Sequence, residues 1–178
     1  MALPGAAQAD GEFYQFDYAP HGSSAVASVQ RGGFGAALGW SEWEGGQAVS
    51  LYLNRRWAVP RLGDGTSFGL GPSVRLGMDG ARDIGVRATL EHYRPTSWGA
   101  AYGLADLNSI AREYMVLGEV SHARSGLAGF VAFQGDRADF RERTVGVSLG
   151  LGESPVRLRL GHRLRAGRTF VGISVNTF

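Results

Sequence analysis

The sequence predicts an all-β protein folded as a single antiparallel barrel, and three features lead to that prediction. Apolar side chains alternate with glycines and polar side chains along segments of about ten residues, which is the period of a strand with two different faces. Short stretches rich in Gly, Asp and Pro separate these segments. All apolar runs fall short of the roughly eighteen residues that a transmembrane helix requires. We count about twelve strands with short connections of about five residues, or eight to ten if the weakest strands merge.

The clearest part of the pattern is a hairpin from Phe68 to Tyr93. Apolar residues occupy every second position of Phe68–Met78 and again of Ile84–Leu90, with glycines, charged and small residues between them. Asp79-Gly80 lies between the two legs, and this dipeptide readily takes the positive φ angles of a two-residue hairpin turn. Each leg has about eleven residues, which exceeds the usual strand and matches the roughly 9–11 residues that cross a bilayer at a tilt.

The strands before this hairpin follow the same rule. The first alternates Tyr14, Phe16 and Tyr18 with polar residues, whereas the second consists of small residues and is weak. The next two alternate larger apolar side chains with Gly, Ser and Arg. The approximate ranges of the four are 11–19, 24–30, 34–41 and 49–57.

Six further strands follow the hairpin. The first of them places every second residue from Trp98 to Leu104 on the apolar face. The segment 104–115 is the best helical candidate, although it also fits a turn between strands. The strand near 113–122 is ambiguous, and Tyr114, Val116 and Val120 are expected to face outward. The approximate ranges are 98–104, 113–122, 127–133, 144–151, 156–163 and 171–175.

The composition excludes several kinds of protein. All 18 basic residues are arginines, and the net charge of +2 is too small and too dispersed to indicate nucleic-acid binding. The chain has no cysteine, which excludes a disulfide framework, a thiol nucleophile and a cysteine metal site. The four histidines lack the spacing of metal ligands, so no cofactor is expected.

The first nine residues have a separate origin in our interpretation. Ala7-Gln8-Ala9 fits the small-x-small pattern that precedes a signal-peptidase cut, and Leu3-Pro4-Gly5 is typical of the end of an apolar signal core. We therefore divide the chain into a residual signal-peptide tail, 1–9, and a single barrel domain, 10–178. The alternative is a flexible alanine-rich terminus.

The alternation alone does not decide which face of the barrel lies inside, because a soluble barrel buries its apolar face and a membrane barrel exposes it. Two observations favour the membrane. The polar faces combine many glycines with few large charges, which suits a lumen better than a solvated surface. Large aromatic residues lie near strand ends, where interfacial girdles are found; the candidates are Trp40, Trp57, Trp98 and Tyr102.

The chain resembles bacterial outer-membrane β-barrel proteins in three features: Ala7-Gln8-Ala9, the alternating strands and the terminal Phe178. The resemblance implies a place in the outer membrane of a Gram-negative bacterium, in contact with membrane lipid and lipopolysaccharide. It also implies insertion by the barrel-assembly machinery, which reads a C-terminal aromatic such as Phe178. With twelve strands, the architecture is similar to small monomeric porins that pass acidic oligosaccharides through arginine-lined pores.

The charged residues on the polar faces are the candidate functional residues. Guanidinium groups stay charged and pair with carboxylate or phosphate in a planar fork, so an arginine-lined lumen favours anions. We expect a channel for small polar or anionic solutes, without catalysis. Arg157 and Arg159 are the foremost candidates because their strand carries no acid. The complete set is Arg56, Arg75, Arg87, Glu91, Glu119, Arg157, Arg159 and Arg163.

Three other functions stay open at this point. The lumen charges could neutralise one another in a filled barrel that anchors an envelope or export assembly through a partner protein. A lipid A-modifying enzyme would need a Ser–His pair at the lipid-facing rim, from Ser121-His122 or from His92 and Ser97. A soluble periplasmic barrel would bind an apolar ligand. The charged connection 136–143 is a solvated loop or a contact for lipopolysaccharide phosphate through Arg137, Arg141 and Arg143.

Overall fold

The computed structural model describes residues 10–178 and forms a closed barrel of twelve antiparallel strands. Each strand pairs with the next along the chain, and β1 pairs with β12 to close the sheet. The predicted fold class and strand number are confirmed, and the alternatives with eight to ten strands are excluded. The predicted signal-peptide tail lies outside the described residues. The strands are β1 Gly11–Tyr18, β2 Ser24–Arg31, β3 Phe34–Trp43, β4 Gly46–Ala58, β5 Thr66–Gly77, β6 Arg82–Thr96, β7 Gly99–Asn108, β8 Glu113–His122, β9 Leu127–Gly135, β10 Arg141–Gly150, β11 Val156–Arg163 and β12 Arg168–Asn176.

Closure satisfies the backbone of the whole sheet. The β1–β12 ladder runs from Phe13 opposite Asn176 to Tyr18 opposite Val171. A closed sheet has no edge strand, so its N–H and C=O groups need no water and can lie within lipid. Within the described residues, no helix is long and apolar enough to cross a membrane.

The barrel has two distinct ends, because an even number of strands brings both chain termini to the same side. We call that side the terminal end and the opposite side the far end. The connections at both ends are short. Those at the far end are 19–23, 44–45, 78–81, 109–112, 136–140 and 164–167, and those at the terminal end are 32–33, 59–65, 97–98, 123–126 and 151–155.

β5 and β6 form the predicted hairpin, but the connection spans 78–81 and is longer than the two-residue turn expected, with a positive φ at Gly80 and not at Asp79. Gly80 has φ +86°, and the Asp79 carboxylate accepts a hydrogen bond from the backbone N–H of Ala81 at 3.0 Å. Glycine takes this conformation without steric cost, which explains why the chain reverses here. The two legs then pair continuously from Thr66 opposite His92 to Leu76 opposite Arg82.

The apolar face of the sheet points outward. Ile84 is 83% exposed and Val86 53% exposed, whereas Ser73 and Thr89, on the other face of the same hairpin, are buried. The same division holds on the other strands, where alternate Leu, Val, Ile and Phe side chains are exposed and the Ser, Thr, Asp and Gly positions between them face the interior. This arrangement is the reverse of a soluble barrel and matches a lipid-facing band around a polar lumen.

Aromatic side chains lie near both ends of the outer face. Trp57 and Phe68 stack at the terminal end with ring centroids 6.1 Å apart. Trp98 is half-exposed in the connection 97–98 at the same end. At the far end, the indole N–H of Trp40 donates to Gln47 Oε1 at 3.1 Å. Aromatic rings at both margins are typical of membrane interfaces.

The predicted orientation of β7 is wrong, whereas the turn that the sequence also allowed in the segment 104–115 is present. Tyr102 and Leu104 face the lumen, so Tyr102 does not belong to the outer aromatic residues. The segment 104–115 contains no α-helix; it comprises the end of β7, one 3-10 turn at Ile110–Arg112 and the start of β8. The orientation of β7 follows from Asp106, which lies on the same face of the strand as Tyr102 and pairs with Arg87 inside the barrel. Leu107, on the opposite face, is 61% exposed.

The two weakest predicted strands both form. The small residues of β2 pair in full with β3, from Ser24 opposite Ser41 to Arg31 opposite Phe34. On β8, Tyr114, Val116 and Val120 are exposed, as expected. In a closed sheet, neighbours on both sides impose pairing on a strand whose own β-propensity is low.

Candidate functional site: the charged lumen wall

Arginines from five strands share the inner face of the barrel. All six of the predicted lumen arginines lie on the inward parity of their strands, and Arg168 of β12 joins them. These arginines form two groups, one on β4 to β6 and the other on β11 and β12. The two groups lie on opposite walls, because β5 and β11 are six strands apart in a ring of twelve.

On the wall formed by β4 to β8, each arginine is paired with a carboxylate. Arg56 lies 2.9 Å from Glu91, which also accepts a hydrogen bond from the Tyr102 hydroxyl at 3.2 Å. Arg87 pairs with Asp106 through two of its nitrogens. These pairs hold the side chains against the wall, so their charges are neutralised locally.

The same wall carries further acids. Arg75 pairs with Glu113, while Asp83, opposite Arg75 in the register, makes no ion pair with a described residue. Glu119 also faces inward from β8, between Tyr102 and Phe130, and has no ion-pair partner among residues 10–178. This wall therefore holds three arginines against five carboxylates, and it is acidic overall.

The opposite wall contains a buried cluster in the middle of the barrel. Arg159 Nε lies 3.0 Å from Asp17 Oδ1, and the two side chains are 10% and 6% exposed. The Arg159 guanidinium stacks on the ring of Phe130, 4.5 Å from its centroid. Phe130 and Phe170 are also buried, so side chains fill this part of the lumen.

Two glycines make room for these rings. Gly146 lies opposite Phe130, and Gly161 lies opposite Phe170, in the neighbouring strands. A side chain at either glycine would collide with the ring beside it. The glycines on the polar faces therefore serve packing inside the barrel as well as strand curvature.

The remaining arginines form a strip along β11 and β12. Arg157, near the terminal end, donates to Ser148 Oγ at 3.0 Å and to the Gly126 carbonyl at 2.8 Å. Arg163, near the far end, donates to the Gly22 carbonyl. Neither forms an ion pair with a described carboxylate. Arg168 completes the strip and lies 3.1 Å from the exposed Glu44.

The two walls thus differ in charge. The inner face from β10 to β1 carries four arginines, while its acids are Asp17 and Glu142. It is basic overall and faces the acidic wall across the lumen.

Two residues of the site were not predicted from the sequence. They are Tyr52, whose ring centroid lies 3.7 Å from the Arg87 guanidinium, and Asp106, which pairs with Arg87. Extending the alternation of β7 by two residues, from 104 to 106, would have revealed Asp106.

Three of the four histidines, His92, His122 and His162, form side-chain hydrogen bonds within a turn or between neighbouring strands. His122 Nδ1 lies 3.0 Å from Ser125 Oγ in the connection after β8, rather than on Ser121. His92 Nδ1 lies 2.8 Å from Thr66 Oγ1, rather than near Ser97. Within residues 10–178, no group of three or more acidic or histidine side chains could hold a metal ion.

The other predicted residues lie at the ends of the barrel. Arg137 is in the far-end connection after β9, and Arg141 and Arg143 are exposed on the outer parity of β10. The Phe178 ring lies against Gly11 at the terminal end, and its backbone N–H donates to Asn176 Oδ1 at 3.0 Å. The role of Phe178 in assembly stays a prediction.

Comparison with solved structures supports the architecture. A KdgM porin superimposes with a TM-score of 0.57, over 93% of this chain and 98% of the porin, at 10% sequence identity. The chain has the fold of an outer-membrane β-barrel. The beta domain of the Bordetella autotransporter Brka matches with a TM-score of 0.32, at 15% identity, over 95% of this chain and 98% of that domain. No protein-family model and no curated protein matches the sequence.

Proposed function

We propose that this protein is a narrow channel of a Gram-negative outer membrane that passes small anionic or polar solutes. The observation that carries the proposal is the strip of Arg157, Arg159, Arg163 and Arg168, which runs along one wall from the terminal end to the far end. Two of these guanidinium groups have no carboxylate partner among the described residues, so the strip presents uncompensated positive charge. The role assigns no catalysis and no cofactor to the chain.

The membrane placement rests on the outer face. Exposed apolar side chains surround the sheet, and aromatic residues lie at both margins. We infer that the barrel inserts from the periplasm with the short connections of the far end leading, so that only these connections cross the bilayer. The terminal end then faces the periplasm, and the far end faces the outside of the cell. Lipopolysaccharide and the barrel-assembly machinery are the partners that this placement implies.

A second candidate is supported by the buried cluster around Asp17 and Arg159. Phe130 and Phe170 are 5% and 2% exposed, although both point inward. Side chains of a wide aqueous pore would be more accessible. A filled lumen would suit a structural barrel that anchors an envelope or export assembly through a partner protein.

Ion conductance separates these two candidates. The protein is reconstituted into planar bilayers under a tenfold KCl gradient, and the reversal potential is measured for the wild type and for R157Q/R163Q. The channel proposal predicts discrete conductance steps and anion selectivity that falls in the double variant. The control R61Q/R94Q removes the same charge from exposed positions outside the lumen and should leave selectivity unchanged.

Failure of the channel proposal would be equally visible. A correctly folded barrel, identified by a heat-dependent shift in electrophoretic mobility, that conducts no ions would favour the filled anchoring barrel. Conduction that is cation-selective, or selectivity that R157Q/R163Q leaves intact, would remove the arginine strip from the mechanism.

A further inference from the structure

The outer face of the barrel carries a basic groove at the far end. It has a volume of about 320 Å³ and is lined by Arg141, Arg143, Leu164 and Arg165, all exposed. Arg141 and Arg143 occupy outward positions of β10, in line with Val145 and Val147, which belong to the exposed apolar band. The groove therefore lies on the outside of the barrel, at the margin of that band, and it is separate from the arginine strip of the lumen.

The groove is held in place by hydrogen bonds. Glu142 lies between the two arginines in sequence but points inward, where it is 5% exposed. Its carboxylate accepts hydrogen bonds from the backbone N–H groups of Arg165 at 2.8 Å and Ala166 at 3.0 Å. The N–H of Leu164 donates to the Arg143 carbonyl at 2.8 Å. These bonds fix the connection 164–167 against β10, so the groove is formed before any ligand arrives.

The charges of the groove are available for a ligand. Arg165 donates to the Asp139 carbonyl at 3.3 Å and to the Arg141 carbonyl at 3.5 Å. Within residues 10–178, the Arg141 and Arg143 guanidinium groups make no hydrogen bond or ion pair. Of the acids in the adjacent loop, Asp136 is engaged by the N–H groups of Ala138 and Phe140, which leaves Asp139 as the one carboxylate that could compete.

The surroundings combine positive charge with apolar surface. Leu164 is 52% exposed inside the groove, and Phe140 is 50% exposed in the loop beside it. Guanidinium groups bind phosphate oxygens in a planar, bidentate manner, and basic groups at the edge of an apolar band are typical of sites for anionic lipid heads. A free phosphate would gain nothing from the apolar residues.

We propose that this groove binds the phosphorylated head of a lipid in the leaflet around the far end. Arg141, Arg143 and Arg165 contact the phosphate, and the acyl chains lie along Leu164 and the apolar residues of β10 and β11. Given the orientation inferred above, the leaflet is the outer one, and the phosphorylated glycolipid of that leaflet is the ligand. The site does not depend on whether the lumen conducts ions.

The test is lipid binding by the full chain in a neutral detergent. Native mass spectrometry is used to titrate the protein with diphosphoryl lipid A, with the same glycolipid after removal of its phosphates, and with phosphatidylethanolamine. The variant is R141Q/R143Q. The matched control is R61Q/R94Q, which removes the same charge at the terminal end. Removing two arginines from a surface that binds anionic lipid is expected to weaken the affinity about thirtyfold.

The proposal predicts that R141Q/R143Q binds diphosphoryl lipid A about thirtyfold more weakly than the wild type and than R61Q/R94Q. R141K/R143K, which keeps the charge but loses the planar fork, should fall between them and provides the test if the glutamine variant does not fold. Equal affinity of R141Q/R143Q and R61Q/R94Q would overturn the proposal. So would equal binding of the dephosphorylated glycolipid, or complete displacement of lipid A by millimolar inorganic phosphate.

Discussion

Replacing Asp17 by Asn should destabilise the barrel severely, because it leaves the charge of Arg159 buried without a carboxylate. The two side chains are 6% and 10% exposed, and the atoms that join them are 3.0 Å apart. Breaking a buried ion pair by removing one partner costs about 3–5 kcal/mol. Asparagine preserves the volume and can still accept a hydrogen bond, so we expect the lower part of this range.

The assay is urea unfolding in lipid vesicles, followed by tryptophan fluorescence and by the mobility of unheated samples. The pair Arg31–Glu12 is the control, since it joins neighbouring strands at 2.7 Å but its side chains are 53% and 37% exposed. The E12Q variant should lose at most about 1 kcal/mol. Adding R159Q to D17N should recover part of the loss, because the stranded charge is then removed.

The refuting result is a D17N variant that is no less stable than E12Q. It would mean that water reaches Asp17 and Arg159 freely. The lumen would then be open at the level where the structure shows it filled.

Three further predictions concern packing, orientation and the hairpin turn. G161V should lower the free energy of unfolding by about 1–3 kcal/mol through collision with Phe170, and F170A should relieve part of the cost; if G161V matches the wild type in urea, the ring does not cover the glycine. Because the chain has no cysteine, single cysteines can be labelled specifically: in vesicles, Y102C should react with a small water-soluble thiol reagent that enters the lumen, and L107C with a lipid-soluble reagent. The opposite result would return Tyr102 to the outer face. G80V should cost about 1–2 kcal/mol in urea unfolding from the positive φ alone, because nothing lies within 4 Å of a side chain there, and an unchanged midpoint would contradict the turn geometry.

The architecture could be predicted from the sequence because a strand has a fixed period. The alternation in Phe68–Met78 and Ile84–Leu90 identifies which residues share the apolar face and which two segments pair, once Asp79-Gly80 marks the turn. The weak β2 segment could be counted as a strand only because its neighbours were clear. Neither inference required knowledge of side-chain contacts.

The sequence failed at β7 because Gly, Ala, Tyr and Leu do not distinguish the two faces. Tyr102 has an apolar ring and a polar hydroxyl, so it suits either a membrane interface or a lumen with an acceptor such as Glu91. The decision rests on Asp106, whose charge cannot lie against lipid. That residue lay beyond the predicted end of the strand.

The partners of the lumen charges were beyond sequence reasoning for a different reason. Asp17 and Arg159 are separated by 142 positions in the chain and meet only because β1 and β12 close the barrel. Local acids were used to judge which arginines would be unpaired, and this criterion selected both Arg157 and Arg159. In the structure, Arg157 has no described carboxylate partner, while Arg159 is firmly paired.

The most direct test of the account is the accessibility of single spin labels placed from residue 84 to residue 90 in lipid vesicles. At positions 84, 86, 88 and 90, collision with oxygen, which concentrates in lipid, should be frequent, and collision with a water-soluble nickel chelate should be rare. The intervening positions should show low accessibility to oxygen. This phase would establish a barrel with its apolar face in lipid and its arginines inside. The opposite phase, or no period of two, would contradict the outward apolar face and with it both proposed sites.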